Sequence, residues 1–255
     1  MKVTVCELPD DRPAFASEWG RLARHVKRES SDMVLLPEIP FSHWIFAYPK
    51  FDAGVWKEAV DEHDRWMGRL SELGADVVLG SRLVGTGGKR FNEGFAWSRS
   101  GVTATHRKRY LPDEAGYYEA RWYDRGGRKF AQFGVAGWKA GFMICSDLWS
   151  MANARSYGRE GAGLIAVPRC TGLSTDKWLA GGRVASVVSG AYCVSSNRTG
   201  ERGDAKFGGL GWIVDPDGKV LAMTSKSEPF VTAEIEESVA AKAKKTYLRD
   251  SLGPD

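Results

Sequence analysis

Along this chain the spacing of apolar positions keeps switching between a period of two and a helical period. Val3 and Val5 alternate within residues 2 to 6, which predicts a first strand. From about 14 to 30, Phe15, Trp19, Leu22, Ala23 and Val26 share one face of a helix, and Met33 to Leu36 is a short apolar run. Strand, helix and strand in that order predict a right-handed βαβ unit and a layered α/β fold. A second helix is expected over 55 to 74, then a core strand over Asp76 to Gly80 that ends at its glycine. Residues 91 to 98 and 102 to 106 flank Arg99, Ser100 and Gly101, a hairpin signature that makes part of the sheet antiparallel and the whole sheet mixed.

The stretch from about 110 to 128, rich in Pro, Gly and Tyr, is too long for a plain connection and reads as a functional loop. Lys139 to Ile144 forms a strand that stops at Cys145, with helix-like residues at about 151 to 159. Leu164 to Val167, a helix over about 176 to 190, and Tyr192 to Ser195 repeat the alternation. Gly209 to Val214 and Val220 to Met223 enclose the turn Asp215, Pro216, Asp217, Gly218. A last strand near 229 to 235 precedes an Ala- and Lys-rich helix. No repeat or Pro/Gly-rich linker interrupts the series, so one domain over residues 1–255 is expected.

Composition narrows the function classes. With 36 basic against 32 acidic residues the net charge is +4, which marks no dedicated nucleic-acid surface. The one dense basic cluster, His106, Arg107, Lys108 and Arg109, taken alone reads as a solvated patch. Four cysteines are spaced too widely for a zinc signature and are too few for a disulfide scaffold, which suits a reducing, cytoplasmic setting. The opening MKVTVCELPDD turns acidic at once, so neither a signal peptide nor a membrane span is expected. There is no HExxH or CxxC, and the glycines of GTGG at 85 to 88 lack the phosphate-loop pattern and read as a surface turn. No GxGxxG follows the first strand, and no metal or cofactor is expected.

Cys145 lies in GFMICSDLW, where an apolar strand gives way to polar residues and then a helix. Ligands in α/β proteins gather at the carboxyl ends of strands, although a free cysteine is more often a small core hydrophobe. A reactive thiol needs a base or a nearby cation. The four histidines, at 25, 43, 63 and 106, all precede Cys145, and His25 and His63 read as members of surface helices. Glu38, in LLPEIPF directly after a buried strand, is therefore the candidate base; the competing reading is a polar loop residue beside a strand-ending proline. Lys108, at the end of another strand, would be the matching cation.

Together PEIPF around Glu38, HRKRYLPDEAGYYE from His106 to Glu119 and GFMICSDLW around Cys145 resemble the three signature regions of the nitrilase superfamily of carbon-nitrogen hydrolases. Pro168 after LIAVP, GAYCVSSNRTG at 190 to 200 and GWIVDPDGKVL at 211 to 221 extend the resemblance over nearly the whole chain, most strongly to the amidase and N-carbamoyl amide hydrolase branches. It implies a four-layer α-β-β-α sandwich with mixed sheets, no cofactor, and a homodimer or higher homo-oligomer. Residue by residue, the base resembles Glu38, the lysine Lys108, the nucleophile Cys145 and the second glutamate Glu119, which leaves Asp113 and Glu114 as ordinary loop acids.

Two departures from the pattern stand out. Ser146 takes a place that is bulky in many relatives, and Ser150, Met151 and Ala152 replace a Pro-Glu segment. Asp147 in place of the glutamate of true nitrilases favours amides over nitriles, while Leu148 and Trp149 stand where carbamoyl amino acid hydrolases carry arginines. Candidate pocket residues are Trp44, Tyr117, Tyr118, Ser146, Trp149, Arg169 and Trp178, and each aromatic could equally be core. The implied activity is hydrolysis of a small carboxamide, through a thioester, to acid and ammonia. An N-carbamoyl amine or amino acid, a nitrile, acyl transfer to an amine, and a silent scaffold of the same fold are the alternatives.

Overall fold

The computed structural model describes residues 1–246 and 249. β1 (Lys2–Pro9), α1 (Arg12–Glu29) and β2 (Met33–Leu35) open the chain, followed by α2 (Ala53–Met67), β3 (Val77–Thr86), β4 (Lys89–Ser98) and β5 (Gly101–Arg107). Asp11 starts α1 by accepting the Ala14 N–H at 2.9 Å, with a proline in the first turn, and the helix turns Phe15, Trp19, Leu22 and Val26 inward. β1, β2 and β3 are parallel neighbours with Val3, Met33 and Val77 in register, and β4 and β5 continue the sheet antiparallel.

The second half supplies β6 (Gln132–Val135), β7 (Trp138–Phe142), α3 (Met151–Arg159), β8 (Leu164–Pro168), α4 (Thr175–Ser189) and β9 (Tyr192–Arg202). β10 (Ala205–Gly208), β11 (Trp212–Val214), β12 (Val220–Met223), β13 (Phe230–Glu234) and α5 (Glu237–Ala243) follow. β7, β8 and β9 are parallel, with β6 and the β11–β12 pair antiparallel at the flanks. β1 links the two halves: Lys2 to Cys6 pair with β13, whereas Glu7 to Pro9 pair with β9.

Because most core strands are apolar on both faces, each sheet must be covered twice. Val3, Val5, Met33 and Leu35 meet Ala140, Phe142, Leu164, Ala166 and Val194 between the sheets. Val34, Leu36 and Val78 pack outward on Phe15, Trp19 and Leu22 of α1, and Ile165, Val167 and Cys193 on Ala154 and Tyr157 of α3 and Ala185 of α4. The result is the α-β-β-α sandwich that the family resemblance implies, with the mixed parallel and antiparallel strands that the sequence pattern predicts.

Several boundaries differ from the sequence expectation. β3 continues through Gly80 because the ring of Phe95, paired opposite on β4, lies where a side chain would stand, 2.8 Å from an ideal Cβ. The expected helix over 55 to 74 divides at Gly68 into α2 and a separate 3-10 turn, Leu70–Leu73, closed by Gly74 at φ 77°. His25 and His63 are buried rather than on a helix surface, since they turn toward Phe230 and Phe41. Burial pushes the His63 imidazole down to about 3, so it is neutral, and its Nδ1 donates to the Ala59 carbonyl at 2.7 Å. Among the described residues no helix is long and apolar enough to cross a membrane.

Candidate active site

The carboxyl ends of β2, β5, β7 and β8 lead into one cluster of loops, and each brings a polar residue that the strand itself could not bury. Three residues past β2 stands Glu38; directly after β5 comes Lys108. Lys108 Nζ donates to Glu38 Oε1 at 2.7 Å and to Glu119 Oε2 at 2.6 Å, and all three side chains are almost fully excluded from solvent. The lysine backbone is fixed as well, its N–H on the Asn92 carbonyl and its carbonyl under the Gly126 N–H.

Two side chains that sequence reading does not single out complete the network. Asn92 Nδ2 donates to Glu38 Oε1 at 2.8 Å, and the Tyr123 hydroxyl donates to Glu119 Oε2. Among the described residues Glu38 Oε2 and Glu119 Oε1 have no hydrogen-bond partner, so each carboxylate keeps one oxygen for a proton or a ligand.

Cys145 follows β7 at the start of a 3-10 turn, Cys145–Trp149, with φ at +50°. A non-glycine residue held there marks a strained, over-determined turn. Its determinant is Asp147, buried, whose Oδ1 accepts the N–H groups of Arg109 (3.1 Å) and Tyr110 (2.9 Å) and whose Oδ2 meets His106 Nε2 at 2.8 Å. One carboxylate thus ties the cysteine turn to the segment that carries Lys108. The basic cluster at 106 to 109 is not a solvated patch, since His106 and Lys108 are both buried.

Electrostatics follow from burial plus these neighbours. Burial alone would depress the Lys108 ammonium, but Glu119 and Glu38 raise it well above the ordinary lysine range, so it is a permanent cation. Glu119 is pushed up to about 7 by burial, opposed by Lys108 and reinforced by Glu38. Burial and Glu38 push the Cys145 thiol well up, with Lys108 opposing them. Cys145 therefore rests as a thiol, and attack by it would require a base to take the proton.

A cavity of about 340 Å³ opens over Cys145 and Glu119, walled also by Tyr117, Ser146, Trp149 and Trp178. Glu114, an exposed loop residue, also lies on this wall, whereas Asp113 pairs outside with Arg121 at 2.6 Å. Pro112, Cys170, Thr171, Leu173 and Lys177 also line the cavity. Trp44 is packed beneath, its ring 5.9 Å from that of Tyr117 and its indole N–H on the Gly116 carbonyl. Tyr118 faces the Arg121 guanidinium, and Arg169 is buried against Trp212 while donating to Ser195, Thr171 and the Leu210 carbonyl. None of these three lines the cavity, and the Trp44 indole N–H and the Arg169 guanidinium are engaged by protein. No group of acidic, histidine or cysteine side chains among the described residues could hold a metal ion.

Fold and site together define a cysteine-dependent hydrolase of carbon-nitrogen bonds. The carbon-nitrogen hydrolase family matches residues 2–245, and the chain belongs to that family, the nitrilase superfamily. It is 26% identical over 251 residues to the 2-oxoglutaramate amidase of Bacillus subtilis, covering 91% of this chain and 92% of that one. With the N-carbamoylputrescine amidase of Arabidopsis thaliana it shares 30% over 151 residues, 51% of this chain and 50% of the plant enzyme. Among solved structures, the carbon-nitrogen hydrolase from Helicobacter pylori G27 superposes with a TM-score of 0.86 at 20% identity, covering 99% of this chain and 95% of the other. An amidase from Nesterenkonia sp. AN1, a mutant of which was solved in complex with acrylamide, gives 0.78 at 16% identity over 96% and 94%.

Proposed function

We propose that the chain hydrolyses a small linear carboxamide to its acid and ammonia through a thioester on Cys145. The observation that carries this reading is a permanent cation, Lys108, held between two carboxylates behind a cavity whose wall bears the thiol. Glu38 takes the thiol proton as Sγ bonds to the amide carbon. Lys108 and a backbone N–H at Ser146 hold the oxyanion, each such donor worth roughly 3 kcal/mol of barrier. Collapse expels ammonia with the proton returned through Glu38, which then activates the water that cleaves the thioester. Glu119 orients Lys108.

The cavity volume, about 340 Å³, suits a small acyl group. The relatives that act on 2-oxoglutaramate or were crystallised with acrylamide point the same way. Glu114 on the wall favours a second reading, an N-carbamoyl compound whose amine limb it would face, in keeping with the N-carbamoylputrescine relatives. We further propose that residues 1–255 act as one domain within a homodimer or larger homo-oligomer in the cytoplasm.

Rapid quenching of the protein with a panel of amides and N-carbamoyl amines, followed by intact mass, separates the readings. An adduct of the acyl mass on Cys145 is expected with a small carboxamide. A carbamoyl adduct in its place would establish the second reading, and no adduct on Cys145 with any turned-over substrate would overturn the covalent mechanism.

A further inference from the structure

We propose that Arg198 and Asp10 form a positioning pair that sets the orientation of Glu38, an inference that rests on Glu38 being the base. The backbone that presents Glu38 turns sharply at Ile39, whose φ is +45°. A β-branched residue in the left-handed region is strained, so this turn cannot hold itself and needs outside contacts. The Glu38 N–H donates to the Arg169 carbonyl at 3.1 Å and the Ile39 N–H to Ser81 Oγ at 3.1 Å. Four carbonyls of the same stretch turn toward guanidinium groups. Arg198 Nε donates to the Glu38 carbonyl at 3.1 Å, while its Nη2 donates to the carbonyls of Ile39 and, at 2.9 Å, Ser42. Arg12 Nη1 donates to the Pro40 carbonyl at 2.9 Å.

Arg198 is 1% exposed, and a guanidinium so buried is costly unless a counter-charge accompanies it. Asp10, itself buried, supplies that charge on Nη1. Its carboxylate also accepts the Trp44 N–H at 2.8 Å and faces His43 Nδ1 at 3.3 Å, so the far end of the loop is anchored to the same pair. Planar donors on three carbonyls specify one backbone geometry, which a neutral or single-point donor would not. Without the pair the Ile39 turn relaxes toward an ordinary conformation and swings the Glu38 carboxylate away from Lys108 and the thiol.

The test uses the full chain and the variants Arg198→Met, Arg198→Lys and Asp10→Asn. It reads kcat and KM on an amide that the wild type turns over, the alkylation rate of Cys145 by iodoacetamide, and the folded fraction by circular dichroism. For R198M a fall in kcat of about 100-fold is expected, the consequence of a misplacement near one ångström. KM should stay within about threefold, because substrate binding does not use this pair. R198K should recover part of kcat, and D10N should lose kcat in the same way to a lesser degree. A folded R198M or D10N whose kcat is within about threefold of wild type overturns the proposal, as does a kcat loss fully accounted for by unfolded protein. If R198M does not fold, the same comparison is made on D10N and R198K. Wild-type silence on every amide would instead overturn the function reading. The pair is then judged by alkylation, whose rate departs from that of the wild type in the variants if Glu38 is displaced, since Glu38 bears on the Cys145 thiol, and is unchanged if it is not.

Discussion

Glu119 shows how one residue is shaped by where it is buried. Its carboxyl, pushed up to about 7 chiefly by burial, binds a proton in the folded chain at pH values where the unfolded carboxyl, titrating at roughly 4.3, has lost it. Stability contributed by that proton is present at low pH and is lost as pH rises through the folded value. Lys108 titrates far above this window, so the two effects do not overlap. Glu119→Gln mimics the protonated form and escapes the loss. The Tm difference, variant minus wild type, is therefore expected to become more favourable to the variant between about pH 5 and pH 8. A difference that does not change with pH would show that Glu119 is ionised throughout.

The elements matter through the way their ends are joined. β5 and β7 lie in opposite halves of the strand order, on either side of β1, yet in the proposed mechanism the residues that follow them act at one carbonyl carbon. Asp147 joins them: it belongs to the cysteine turn and accepts the N–H groups of Arg109 and Tyr110, immediately after Lys108. Asp147→Ala would leave two backbone donors and His106 without their partner in a dry site. Equilibrium unfolding in urea is expected to show a loss of about 3 kcal/mol. Turnover per folded molecule should fall as well, since Asp147 makes three of the contacts between the two segments and its loss leaves the Ser146 hydroxyl on the Tyr110 carbonyl to hold the cysteine turn there. Unaltered stability would mean that other groups reach these donors.

At the scale of the whole molecule, the layered fold was legible because its strands are apolar runs separated by helices of clear period. Glu38, Lys108 and Cys145 are visible in sequence because each sits where such a run stops. Asn92 and Arg198 were not, because a hydrogen bond to Glu38 across 54 residues, or an ion pair to Asp10 across 188, leaves no periodic trace. Aromatic identity was equally silent on place: Trp149 and Trp178 reach the cavity while Trp44 packs below it. The break of the helix expected over 55 to 74 at Gly68, and the continuation of β3 past Gly80, both depend on what packs alongside.

The central claim is that Cys145 breaks a carbon-nitrogen bond. It is tested most directly by ammonia release from small amides, N-carbamoyl compounds and nitriles, measured for the wild type and for Cys145→Ala at equal folded concentration. Release by the wild type from one of these groups, abolished in C145A while circular dichroism is unchanged, is the expected result. Equal release by both proteins would contradict the claim.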